Sequence, residues 1–134
     1  LLNITGGSIG RCCVYPANSK RHANVNQHVC IIRPIMNMIT PQFLCYFLNS
    51  NAGQSAVNYY QTGGNREGLN FEQIGNIRIP FYSIGEQQQI ADYLDEKCAH
   101  IDSLIADKEK LIREFEDYKK ALIFEYVTGK KEVE

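Results

Sequence analysis

The sequence predicts an α+β fold in two parts: a small mixed α/β domain over residues 1–82, then one long α-helix over residues 83–128 and a short tail, 129–134. Three observations carry that expectation. Short apolar runs alternate with turn-rich stretches through the first third of the chain. A helical repeat of apolar residues begins at Phe43, and beyond Glu86 no proline or glycine interrupts a regular apolar stripe until Gly129.

Along the chain, LLNI, RCCVYP and VCIIRP read as short strands, separated by the turn-forming stretches GGSIG and PANSKRHAN. Thr40 then offers a helix cap, Pro41 fits the first turn, and Phe43, Leu44, Phe47 and Leu48 follow at helical spacing. NSNAG breaks that helix and QSAVNYY adds a second short one. After the glycine-rich QTGGNREGLN comes FEQIGNIRIP, whose Ile77 and Ile79 alternate with polar residues as in a strand.

The long helix is the firmest element. SIGE is a capping-box pattern in which Ser83 and Glu86 satisfy each other's backbone N–H groups. Steps of 3 and 4 then select Ile90, Leu94, Lys97, Ile101, Leu104, Lys108, Leu111, Phe115, Tyr118, Leu122 and Glu125, of which eight are apolar. Ile105, Ile112 and Tyr126 widen the stripe. A helix over residues 86–127 runs about 60 Å, more than the core of an 80-residue domain can cover, so most of the stripe is expected to pack on another helix. Lys97 and Lys108 interrupt the seam, either with stems laid along it and ammonium groups in water, or as devices that set register and partner choice. Gly129 after Thr128 marks the end.

At 134 residues, with 44% apolar and 22% charged side chains, the chain has the composition of one globular domain. No run of about 18 apolar residues is available to cross a membrane. The beginning has neither an initiating methionine nor the shape of a signal peptide, which suggests the latter part of something longer. Five scattered cysteines, Cys12, Cys13, Cys30, Cys45 and Cys98, form no C-x-x-C pair and read as small buried hydrophobes in a reducing cytoplasm. The net charge of −1 hides a division: residues 1–80 carry six basic and two acidic residues, residues 81–134 eight basic and thirteen acidic. The first part can meet a polyanion; the second is not built to.

Catalytic motifs do not emerge. Gly63 and Gly68 have the spacing of a phosphate-binding loop, but Leu69 and Asn70 stand where lysine and a hydroxyl residue are required. GGSIGR lacks the spacing of a dinucleotide fingerprint, and His22, His28 and His100 have no ligand cluster around them. The residues call for no cofactor, no metal and no catalytic group. What remains is recognition chemistry. Arginine can bind guanine through two hydrogen bonds, asparagine can do the same with adenine, and glycines let backbone approach a duplex. The candidates are Gly64, Asn65 and Arg66 in the central loop, with Ser8, Arg11, Lys20 and Arg21 in the early ones. Two other classes stay open on the residues alone: a protein-interaction module that dimerises through its helix without touching DNA, and an enzyme with a cysteine or histidine nucleophile.

The order of GGSIGR, NQHVCIIRP, TGGNREGLNFEQIGNIRIP, EQQQIADYLDEKCAHIDSLI and ALIFEYVTGK resembles the specificity subunit of type I restriction–modification systems, over essentially the whole chain. The resemblance implies a non-catalytic subunit whose target-recognition domain reads one half of a split sequence in double-stranded DNA. It implies that the long helix is spacer and scaffold for methyltransferase (modification) subunits, with the restriction subunit joining through the complex. A complete subunit of that family holds two such units with their helices packed as an antiparallel coiled coil. This chain carries one unit, without the expected beginning of its recognition domain. Two copies would restore the helix pair, so a homodimer is expected through Ile90, Leu94, Ile101, Leu104, Leu111, Phe115, Tyr118 and Leu122.

Overall fold

The computed structural model describes residues 1–16, 18–19, 24–61 and 68–133. The described elements are β1 (Leu2–Asn3), β2 (Val29–Cys30), α1 (Pro41–Asn49), α2 (Asn51–Gln61), α3 (Phe71–Gly75) and α4 (Ile84–Val127). The chain divides into two compact units, Leu1–Asp92 and Tyr93–Glu134. A two-stranded sheet with helices makes this an α+β arrangement ending in one long helix.

In the first unit β1 pairs antiparallel with β2, Leu2 opposite Cys30 and Asn3 opposite Val29. Leu2, fully buried, packs with Cys30, Leu44, Leu48, Val57, Leu69 and Ile77 in one apolar cluster. Thr40 caps α1 by accepting from the Phe43 N–H, and Pro41 occupies the first turn, where its missing N–H costs nothing. One residue separates α1 from α2. Ser50 manages the join, its hydroxyl donating to the Phe47 carbonyl and accepting from the Gly53 N–H. The chain comes so close here that a Cβ on Gly53 would stand 2.2 Å from the Phe47 carbonyl oxygen.

Two expectations are corrected. RCCVYP forms no strand beyond a single bridge between Cys12 and Leu2. The Cys12 peptide is instead taken by a side chain: its N–H donates to Asn49 Oδ1 at 3.0 Å and its carbonyl accepts from Asn49 Nδ2 at 2.9 Å. FEQIGNIRIP is not a strand either. Asn70 and Gln73 close a capping box, at 2.8 Å in both directions, and this turns Phe71–Gly75 into α3. Ile77 does point inward and Arg78 outward, but among the described residues no strand pairs with them.

The start of α4 closes as its sequence dictates. The Ser83 N–H donates to Glu86 Oε2 at 2.9 Å and the Glu86 N–H donates to Ser83 Oγ at 3.3 Å. One turn in, Gln87 is buried with every polar atom used. Its Oε1 accepts from the Thr40 N–H, and its Nε2 donates to the carbonyls of Met38 and Tyr82, each at 2.9 Å. This one amide ties the first turn of α4 to the cap of α1. At the far end Gly129 takes the left-handed conformation, φ +70°, and the Lys130 N–H reaches back to the Glu125 carbonyl at 2.8 Å in a Schellman-type stop. No described helix is long and apolar enough to cross a membrane.

Candidate nucleic-acid interface

GGSIGR folds into a tight turn rather than a slack loop. Gly6 and Gly10 adopt positive φ, +77° and +83°, which side chains resist. The Asn3 N–H donates to the Arg11 carbonyl and the Gly10 N–H to the Asn3 carbonyl, both at 2.9 Å. A Cβ on Gly10 would meet the Gln54 amide and Val57 at about 3 Å, and that amide donates to the Gly10 carbonyl at 2.9 Å. The turn is thereby pinned to α2. Ser8 is half-buried and its hydroxyl accepts from Asn3 Nδ2 at 2.6 Å, which leaves the hydroxyl proton for an outside acceptor. Arg11 is exposed.

Beside this turn lies the exit of the central glycine-rich stretch. Gly68 bridges to Thr5, and the Leu69 N–H donates to the Ile4 carbonyl at 2.8 Å. A Cβ on Gly68 would fall 3.1 Å from the Thr5 methyl, so glycine permits the approach. The stem of one candidate loop is thus joined to the base of another. Gly64, Asn65, Arg66, Lys20 and Arg21 lie outside the described residues; Ser8 and Arg11 are the candidates whose positions are described. Sequence reasoning missed the Thr5–Gly68 join, a pairing across 63 positions for which no local signal exists.

The charge of the described arginines on this unit is available. The described ion pairs, Lys97–Glu96, Lys110–Glu114, Lys120–Asp117 and Lys131–Glu125, all lie on α4 and its tail. Arg11, Arg33 and Arg78 are exposed and no described carboxylate pairs with them. Cys12 shows no sign of an activated nucleophile: burial first, and then the neighbouring Cys45 thiol, push its pKa up to about 12, so it is a thiol at neutral pH. Among the described residues no group of three or more His, Cys, Asp or Glu is arranged to hold a metal.

The stripe on α4 is the other surface. Ile101, Leu104, Leu111, Phe115 and Tyr118 are exposed, as are the flanking Ile105, Ile112 and Tyr126, while Ile90, Leu94 and Leu122 are half-buried. An apolar row of this length is far more than a solvated helix face carries and marks an interaction surface.

Comparison with known proteins identifies the family. A relative, the type I restriction enzyme StySPI specificity subunit of Salmonella potsdam, is 26% identical over 91 residues, 68% of this chain. That alignment spans only 20% of the relative's length. No solved structure matches. The family model for the type I restriction modification DNA specificity domain matches residues 1–124, from the β1 strand through most of α4. The chain belongs to the type I restriction modification DNA specificity domain family.

Proposed function

We propose that this chain is the non-catalytic DNA-reading and scaffolding part of a type I restriction–modification complex in the cytoplasm. Residues 1–82 read one half of a split sequence in double-stranded DNA, residues 83–128 act as spacer and scaffold, and residues 129–134 form a tail. Arg66, Asn65 and Gly64, together with Ser8, Arg11, Lys20 and Arg21, make the DNA contacts, Arg66 foremost. The observation that carries this reading is the family match over residues 1–124, which takes in both the arginine-bearing turns and the apolar helix.

Two copies pair through α4 as an antiparallel coiled coil, offering two identical readers to a symmetric split site. The charge order of the helix favours this direction. Residues 86–102 hold five carboxylates and one lysine, whereas residues 119–131 hold four lysines and one carboxylate. Antiparallel pairing sets one block against the other; parallel pairing sets like against like. The paired helices dock the methyltransferase subunits, through which the restriction subunit is brought to the site. A protein-interaction module without a DNA role is the second reading, favoured by the exposed stripe taken alone.

The test is selection from a random-sequence duplex pool, with and without a type I modification subunit. A short enriched motif, repeated in inverted orientation at fixed spacing, is the expected result. No enrichment in either arm would remove the DNA role and leave the interaction module. Arg66→Ala in the assembled complex is expected to lower affinity and flatten its salt dependence; unchanged affinity, preference and slope would remove Arg66 from the contact set.

A further inference from the structure

The stripe on α4 does not explain the helix's last turns. Its seam positions there are Leu122 and Glu125, yet Ile123, Phe124, Tyr126 and Val127 are also apolar and exposed, Val127 at 81%. A helix that is apolar around most of its circumference is covered on more than one face. One pairing helix covers only one.

A matching surface exists in the first unit. Carried back seven residues from Leu94, the seam reaches Gln87, which is not free for a partner because Thr40, Met38 and Tyr82 already enclose its amide. Gln87 lines a cleft of about 500 Å³ with Ile35, Met38, Ile39, Pro80 and Phe81. Ile35, Met38 and Phe81 are exposed, Phe81 at 82%.

Full antiparallel overlap of two Ile84–Val127 helices brings these surfaces together. It sets Ile90 opposite Leu122, Leu94 opposite Tyr118, Lys97 opposite Phe115, Ile101 opposite Leu111 and Leu104 opposite Lys108. Each seam lysine then lays its stem on an apolar or aromatic partner, and residues 122–127 of one copy arrive where the other copy's seam runs into Gln87. Resting on the self-pairing read above, we propose that the apolar end of α4, residues 122–127, seats in the Ile35/Met38/Phe81 cleft of a second copy of this chain. The seat occurs twice in the pair, shields the apolar turn, and fixes the register that the seam alone leaves free to slide.

The full-length chain carrying a photoreactive benzophenone residue at Val127 tests this, using an equal mixture of isotopically labelled and unlabelled protein. Mixed-isotope crosslinks to residues 35–39 or 79–82 are expected. A dimer whose crosslinks fall only on the partner's residues 118–133, or elsewhere along its α4, would overturn the seat and leave self-pairing intact. A monomer at tens of micromolar would overturn both. Met38→Glu, with its urea midpoint checked against the parent's, is expected to weaken self-association about tenfold; an unchanged dimer constant would also overturn the seat.

Discussion

Replacing Gln87 by leucine removes a side chain that hydrogen-bonds the first turn of α4 to the cap of α1, at nearly constant volume. Three backbone groups lose their partner: the Thr40 N–H and the Met38 and Tyr82 carbonyls. Thr40 is 7% exposed, so its orphaned donor costs about 1–3 kcal/mol. Met38 and Tyr82 are exposed residues whose carbonyls can find water, a loss of about 1 kcal/mol each. Extra apolar burial of leucine returns about 1 kcal/mol, which leaves a net loss of about 3 kcal/mol, a large share of the stability of a domain this size. Urea unfolding followed by circular dichroism measures it, at fixed protein concentration because the proposed self-association would add to apparent stability. Gln87→Glu sharpens the test. It keeps the acceptor for Thr40 but sets a carboxylate against two carbonyls, which raises the folded carboxyl above its unfolded value of about 4.3. The stability it contributes is therefore present below that pH and lost as pH rises through the raised folded value. A loss under about 0.5 kcal/mol for Gln87→Leu, with unchanged denaturant slope, would show that the enclosed amide does not hold the two helices together.

Other expectations follow from single positions. Gly53→Ala places a methyl 2.2 Å from the Phe47 carbonyl and 2.7 Å from Leu48 Cα, backbone that cannot step aside, and is expected to cost about 3 kcal/mol in the same unfolding assay. The Cys12 thiol is held protonated up to about 12 against an ordinary 9.0, so its stabilisation is complete below pH 9.0 and is lost as pH rises towards 12. Urea midpoints over that window should fall less steeply for Cys12→Ala than for the parent chain. Arg11→Ala, in complex with a modification subunit, should reduce the salt slope of duplex binding by about 1. A spin label at Lys120→Cys, with the exposed Cys13 and Cys98 changed to serine, should report about 40 Å between copies paired antiparallel; a separation under about 20 Å would mean parallel helices.

What the sequence discloses here is what depends on near neighbours. Thr40 with Pro41 and Ser83 with Glu86 act within one turn, and each behaves as its spacing implies. The Asn70–Gln73 box is equally local, but the alternation of Ile77 and Ile79 beside it points to a strand. That alternation records burial alone, because a strand also needs a pairing neighbour, and no described strand pairs there. RCCVYP failed for the opposite reason. Its backbone found a partner in Asn49, 37 positions away and a side chain rather than a strand, which no periodicity announces. The candidate site divides in the same way. Turn chemistry points to Ser8 and Arg11, while the bridge between Thr5 and Gly68 is non-local and has no sequence signal.

Gln87 shows how a local rule can be obeyed and still mislead. Read as a repeat, the seam starts at Ile90, and a glutamine seven residues before Leu94 looks like the point where the pattern simply fades. In the fold that position is as buried as any in the core, at 1% exposure, and the pattern stops because the chain's own loop has taken the partner's place. The same residue therefore ends the apolar repeat and belongs to the packing of the first unit. A helix pairing along this seam cannot run past it without breaking three hydrogen bonds. Beyond it the proposed partner would meet the apolar side chains of Ile35, Met38 and Phe81 rather than more of the seam. If two helices pair along this seam as proposed, the glutamine limits the seam through its own burial, and a leucine at 87 would extend the apolar repeat while dissolving the joint with Thr40, Met38 and Tyr82.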